Sequence, residues 1–264
     1  MSKTLIIANW KANPKTVRRA VALARAVHRE ISKYLPAGKA GRNVELVVAP
    51  PFPFLIPVKG AIRRAALGAQ NAFWETHGPY TGEVGTAELK NLGVRYVILG
   101  HSERRINLHE TDEMVNRKVR AVLAAGMTPV ICVGERHREG GEIPSIVGEQ
   151  VRAALAGVKA KDAGRVVVAY EPVWAVSTQP GAHPDTPESA FRAAVYIRKI
   201  AAAALGRAAG TQIRVIYGGS VTDENIASFL HEGRMQGALV GGASIDAKKF
   251  ASLFRAVSRL KYRE

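Results

Sequence analysis

Short runs of β-branched and aliphatic residues recur along the chain, at 6–8, 44–49, 67–71, 94–99, 128–133, 165–170, 212–217 and 237–241. Within each run apolar residues follow one another without the strict alternation of a half-exposed strand, which is the pattern of a parallel strand buried on both faces. Most of the gaps between runs carry apolar residues at three-and-four spacing, as in TVRRAVALARAVHREI from Thr16 and ESAFRAAVYIRKIAAAAL from Glu188, and so predict amphipathic helices. Eight strand–helix beats at this length predict an α/β chain closed into a (β/α)8 barrel, one domain spanning 1–264. The third and seventh connections are the least regular. PFPFLIP from Pro51 and QPGAHPDTP from Gln179 read as local loops whose prolines interrupt helices, not as tethers between domains.

Composition narrows the class. At 264 residues and 47% hydrophobic the chain can bury one large core. Its single cysteine, Cys132, has no partner for an internal disulfide, and MSKTLIIANWK lacks a signal-like apolar stretch, so a reduced, cytoplasmic protein is expected. No apolar run approaches the ~20 residues that a membrane span needs. Lys and Arg number 38 against 22 Asp and Glu, a net charge of +16 that raises anionic partners. The cations are spread along the helices (Arg18, Arg19, Arg25; Arg117, Lys118, Arg120; Arg198, Lys199) without interleaved aromatics. A dedicated nucleic-acid groove is therefore not expected.

In a parallel barrel the reactive groups belong where strands end and βα loops begin. Glu171 follows RVVVAY and opens EPVWA, between Tyr170 and Pro172 with Trp174 close behind. A carboxylate held there is partly dried, and drying makes it a stronger base. Asn9 and Lys11 follow the first strand; if the chain stays extended their side chains share one side while Trp10 takes the other, so an amide and a cation meet in one pocket. His101 sits between VILG and SERR, where a strand meets a helix start. The positive end of that helix disfavours imidazolium and leaves a neutral ring able to donate to a developing oxyanion. Glycine pairs follow the last two strands, in YGGS (217–220) and VGGAS (240–244), where backbone N–H groups could cradle a phosphate. Each feature is common by itself, and only their gathering on one rim makes a site. Cys132 reads as a small buried side chain rather than a nucleophile, and no HxxxH or HExxH spacing suggests a metal.

Taken in order, NWKAN (9–13), GHSERR (100–105), CVGE (132–135), AYEPVWA (169–175), YGGSV (217–221) and LVGGAS (239–244) resemble the triosephosphate isomerase family. QN at 70–71 and YTGE at 80–83 fit the same resemblance. It implies a TIM barrel that interconverts dihydroxyacetone phosphate and glyceraldehyde 3-phosphate through an enediolate, with no cofactor. Glu171 would move the proton, neutral His101 with Lys11 and Asn9 would stabilise the oxyanion, and Glu103 would support Lys11 or the base. The division between a carboxylate base and a neutral imidazole is the established one for that family. The resemblance further implies phosphate held by backbone N–H groups of Ser177, Ser220, Gly241 and Gly242, and a lid over Pro172–Thr178 that excludes water. It also implies a homodimer in which the loop Tyr80, Thr81, Gly82, Glu83 inserts beside the neighbour's site, with Thr81 as the contact.

The chain departs from the family at the far hinge of the lid. VSTQ (176–179) stands where the family carries a glycine-bearing IGTG, and the following PGAHPDTPE is slightly longer. If either glycine position needs positive φ, the residue here carries ~1 kcal/mol of strain. Gln236 also replaces a common Asp, and 106–109 differ from the usual residues after GHSERR. The altered hinge motivates one rival, an isomerase of the same superfamily acting on a four-carbon ketose phosphate. The net charge motivates another, a basic polyanion-binding barrel without catalysis.

Overall fold

In the computed structural model, which describes residues 3–34, 44–176 and 181–260, strands and helices alternate throughout. The order is β1 (Thr4–Asn9), α1 (Val17–Ser32), β2 (Val44–Ala49), α2 (Leu55–Lys59), β3 (Ala66–Ala69), α3 (Thr86–Asn91), β4 (Val94–Leu99), α4 (Ser102–Asn107) and α5 (Asp112–Ala124). It continues with β5 (Thr128–Val133), α6 (Ser145–Leu155), β6 (Val167–Tyr170), α7 (Pro187–Leu205), α8 (Arg207–Gly210), β7 (Arg214–Tyr217), α9 (Ile226–His231), β8 (Gly237–Val240) and α10 (Ala247–Ser258). Each strand pairs in parallel with the next, and β1 closes on β8 through Leu5↔Gly237 to Ala8↔Val240, so the sheet is a closed eight-stranded barrel. Gly237 is required at that seam, because a Cβ there would lie 1.9 Å from the Leu5 carbonyl oxygen.

The uninterrupted apolar runs are explained by two cores. Leu5, Ile7, Val47, Ala49, Ile98, Val130, Val167, Ala169, Ile216 and Leu239 fill the barrel interior. Their neighbours Ile6, Ala8, Val48, Val97, Leu99, Ile131 and Val168 point outward, under the helices, with Ala20, Val27, Val119, Val151, Ala193, Ile197 and Phe254 packed on them. Alternation is present in direction but invisible in hydrophobicity, since both faces are dry. Near the amino ends of the strands the interior is plugged by polar groups: the Tyr96 hydroxyl donates to Glu45 Oε1 at 2.6 Å and Arg214 Nη1 lies 3.4 Å from Glu45 Oε2.

Some expected strands are shorter. Arg165 falls outside β6, ending a 3-10 turn (Ala160–Arg165) where its guanidinium grips Asp162 and the Leu123 carbonyl; Gln70 and Asn71 likewise lie beyond β3. The irregular third and seventh connections are short helices, α3 and α9, the first preceded by a long loop. No helix among the described residues is long and apolar enough to cross a membrane.

Candidate active site

At the carboxyl end of the barrel a pocket of about 280 Å³ opens over the strand ends. Asn9 at the end of β1 and Lys11 just beyond it, His101 after β4, Glu171 after β6, Gly218 to Ser220 after β7 and Gly241 and Gly242 after β8 all line it. Five stretches spread over some 230 positions of sequence thus converge because each follows a strand of one parallel sheet.

Lys11 and Asn9 share the pocket, but not by staying extended. Lys11 takes a φ of 51°, in the left-handed region that non-glycine residues rarely occupy. Its N–H donates to Asn9 Oδ1 at 3.1 Å, and its carbonyl accepts from Gln70 Nε2 at 2.9 Å. Gln70 also donates to the Ala49 carbonyl at 2.8 Å, so one amide pins the strained turn to β2. With Asn9 Oδ1 engaged, the Asn9 amide NH2 is left to face the pocket as a donor. Trp10 is buried in the outer core, opposite the site. Lys11 Nζ sits 2.5 Å from Glu103 Oε1, which directs its charge across the pocket.

His101 caps α4. Gly100 makes the turn possible with a φ of 69°, and His101 Nδ1 accepts the N–H of Glu103 at 3.3 Å. A ring nitrogen that accepts carries no proton, so the ring proton sits on Nε2, the atom that faces Glu171. Glu171 Oε1 stands 3.3 Å from that Nε2 without making a hydrogen bond, while Oε2 accepts the Ser102 N–H at 3.1 Å. Only 2% of Glu171 is exposed.

The position of Glu171 is built by close backbone packing. Glu171 N–H donates to the Val133 carbonyl at 2.8 Å, continuing the ladder past β6. Gly134 lies against it, such that a Cβ there would meet the Glu171 carbonyl oxygen at 1.8 Å. Gly218 is similarly close, with a Cβ position 2.7 Å from Glu171 Cγ. Cys132 is buried beside the carboxylate; burial first, and then the charge of Glu171, pushes its thiol well above the ordinary range. A thiol kept protonated is no nucleophile, as expected from the sequence.

Behind Glu171, Glu135 gathers donors on Oε1: Arg138 Nη2 at 2.7 Å, Tyr170 Oη at 2.9 Å and Trp174 Nε1 at 2.9 Å. This cluster was missed by sequence reading, as were the positioning roles of Gln70 and Gly134. CVGE and AYEPVWA showed the residues, but nothing local relates them.

At the far end of the pocket, the N–H groups of Gly241 and Gly242 donate to no partner among the described residues, and Lys11 Cε comes within 3.3 Å of a Cβ position on Gly241. Lys249, an exposed cation on α10, lines the same end. Ser220 is also here, but its N–H donates to the Ala175 carbonyl at 3.3 Å. Ser177, with Thr178 of the expected lid and Gln179 of its hinge, lies outside the described residues. The Tyr80–Glu83 loop is solvent-facing, with Tyr80 41% exposed and its ring 4.8 Å from that of Phe73.

A desolvated carboxylate facing a donor imidazole, with a lysine and free backbone N–H groups at the other end, can move a proton next to a carbonyl on a small anion. The sequence profile of the family described as triosephosphate isomerase matches residues 4–257. Among curated relatives, a triosephosphate isomerase of Caldanaerobacter subterraneus is 43% identical over 257 residues, covering 96% of this chain and 99% of its own. One of Pelobacter propionicus is 42% identical, covering 96% and 98%, and one of Dictyoglomus thermophilum is 38% identical, covering 97% and 100%.

Proposed function

This chain belongs to the triosephosphate isomerase family, and from that premise we propose how its rim residues divide the reaction among them. The protein is an isomerase that interconverts dihydroxyacetone phosphate and D-glyceraldehyde 3-phosphate, a step of glycolysis. Glu171 is the base: it takes a proton from one carbon and returns it to the next. Its 3.3 Å approach to His101 Nε2 leaves no room for a substrate carbon between them, so binding requires the carboxylate to leave the Ser102 N–H.

His101 Nε2–H and the Asn9 amide donate to the oxygen that gains charge in the enediolate, and Lys11 supplies a full positive charge held in place by Glu103. Gly241 and Gly242 N–H groups, with Ser220 and Ser177, bind the phosphate; Ser220 exchanges its bond to Ala175 for one to the ligand. Pro172–Thr178 is the lid that shields the enediolate from water. The facing carboxylate and donor imidazole carry this reading. A crystal structure with a phosphate-bearing triose analogue tests it: phosphate belongs on Gly241 and Gly242, with the reactive end between Glu171 and His101. Phosphate seated away from the glycine pair would refute the assignment.

The exposed Tyr80–Glu83 loop supports a homodimer in which Thr81 reaches the neighbour's site. Sedimentation should return twice the chain mass, falling to one chain mass in Thr81→Arg. A buried lone thiol and a glycolytic reaction support a cytoplasmic setting, which cell fractionation would check.

A further inference from the structure

Trp174 stands three residues beyond Glu171, in a 3-10 turn (Val173–Ala175) joined to it through Pro172, whose φ is fixed by its ring, so what holds Trp174 bears on the backbone that carries Glu171. Four contacts hold it. Its indole N–H donates to Glu135 Oε1 at 2.9 Å, and the Arg138 guanidinium lies 5.3 Å from its ring centre. The other two come from one residue: the N–H of His183 donates to the Trp174 carbonyl at 3.2 Å, and the His183 ring packs on the indole with centroids 4.7 Å apart at 31°. His183 belongs to the PGAHPDTPE stretch that follows the lid hinge, where the connection is slightly longer than the family pattern. Next to it, Asp185 Oδ1 and the Thr186 N–H form a 2.9 Å bond and Pro187 opens α7, which anchors the clip to a long helix.

We propose that His183 is a positioning residue of this isomerase: by covering the Trp174 ring and engaging its carbonyl, it fixes the turn that aims the carboxylate of Glu171. It touches neither substrate nor reacting atoms, and acts through Trp174. The proposal rests on Glu171 being the base, so Glu171→Gln is measured alongside; if that variant keeps its turnover, the reading of the base fails, separately from the reading of His183.

The test uses His183→Ala and His183→Phe in the full chain, assayed with ordinary dihydroxyacetone phosphate and with the same substrate deuterated at C1. His183→Ala should lower kcat roughly three- to tenfold, the worth of one ring–ring contact read as a rate. KM should stay within about twofold, because the phosphate end is untouched, and the deuterium isotope effect on kcat should rise as proton transfer is slowed. His183→Phe keeps the ring face and the backbone N–H, and should restore both kcat and the isotope effect. A merely structural role would lower the melting temperature without moving the isotope effect. An unchanged isotope effect in His183→Ala, or a phenylalanine variant no better than alanine, would overturn the proposal.

Discussion

Replacing Gly134 by alanine adds one methyl group, and the geometry says where the damage goes. The new Cβ would sit 1.8 Å from the Glu171 carbonyl oxygen and 2.5 Å from its carbon. Reaching even a tight 3.0 Å contact from 1.8 Å requires a displacement of about 1.2 Å. Gly134 itself cannot retreat, because its N–H donates to Gln150 Oε1 at 2.7 Å and its carbonyl accepts from Gln150 Nε2 at 3.2 Å. The segment that yields is therefore the one carrying Glu171. Misplacing a reacting group by ~1 Å costs about 100-fold in rate, while overpacking costs about 1–3 kcal/mol of stability. For a domain of this size that is a loss of roughly 2–12 °C in Tm, too small to unfold the enzyme in a room-temperature assay. A coupled assay should show kcat down by about 100-fold at nearly constant KM. Gly60→Ala, whose new Cβ would meet nothing closer than 3.9 Å, should leave kcat unchanged. A Gly134→Ala enzyme with kcat within tenfold of the parent would refute the claim that this contact sets the position of Glu171.

Glu171→Asp withdraws the carboxylate by one methylene and should lower kcat by orders of magnitude with little change in KM, checked by steady-state kinetics; an unchanged kcat would remove Glu171 from the base role. Lys118→Met strands Glu110, which contacts Lys118 Nζ and lies 3.2 Å from Arg104 Nε at only 5% exposure, and should cost about 3–5 kcal/mol by calorimetry. Burial alone would push Glu110 up, but the hydrogen bond and charge of Lys118, helped by Arg104, hold it below its ordinary 4.5. A depressed carboxylate lends stability that is complete above that value and is lost as pH falls through and below it, so the Tm gap between parent and Lys118→Met should narrow on acidification from pH 6; a constant gap would contradict this. With a net charge of +16, capture of a phosphate dianion should be steered, and kcat/KM should fall as salt is raised, a flat profile counting against steering.

Much of this was readable along the chain. The strand runs were legible because a strand buried on both faces must be apolar throughout, as Leu5 to Ala8 are. Glu171, His101 and the glycine pairs were legible because a polar residue or a double glycine immediately after such a run has few other reasons to be there. The exact strand ends were less so: Arg165 extends an apolar run in sequence yet turns aside to an Asp162 ion pair, which a list of residues does not reveal. The extended geometry expected for Asn9 and Lys11 failed because Gln70, about sixty positions away, holds Lys11 at positive φ.

Order, periodicity and strand-end chemistry are local properties, and the sequence alone therefore determined the barrel and the polar and glycine residues gathered at the carboxyl ends of its strands. Distances are not local. Which oxygen of Glu171 rests on Ser102, which nitrogen of His101 bears its proton, why Gly134 admits no side chain and how His183 comes to cover Trp174 were decided only when the sheet closed. Closure brings together backbone that is remote along the chain, and contacts of a few ångströms between such segments leave no trace in the spacing of either one.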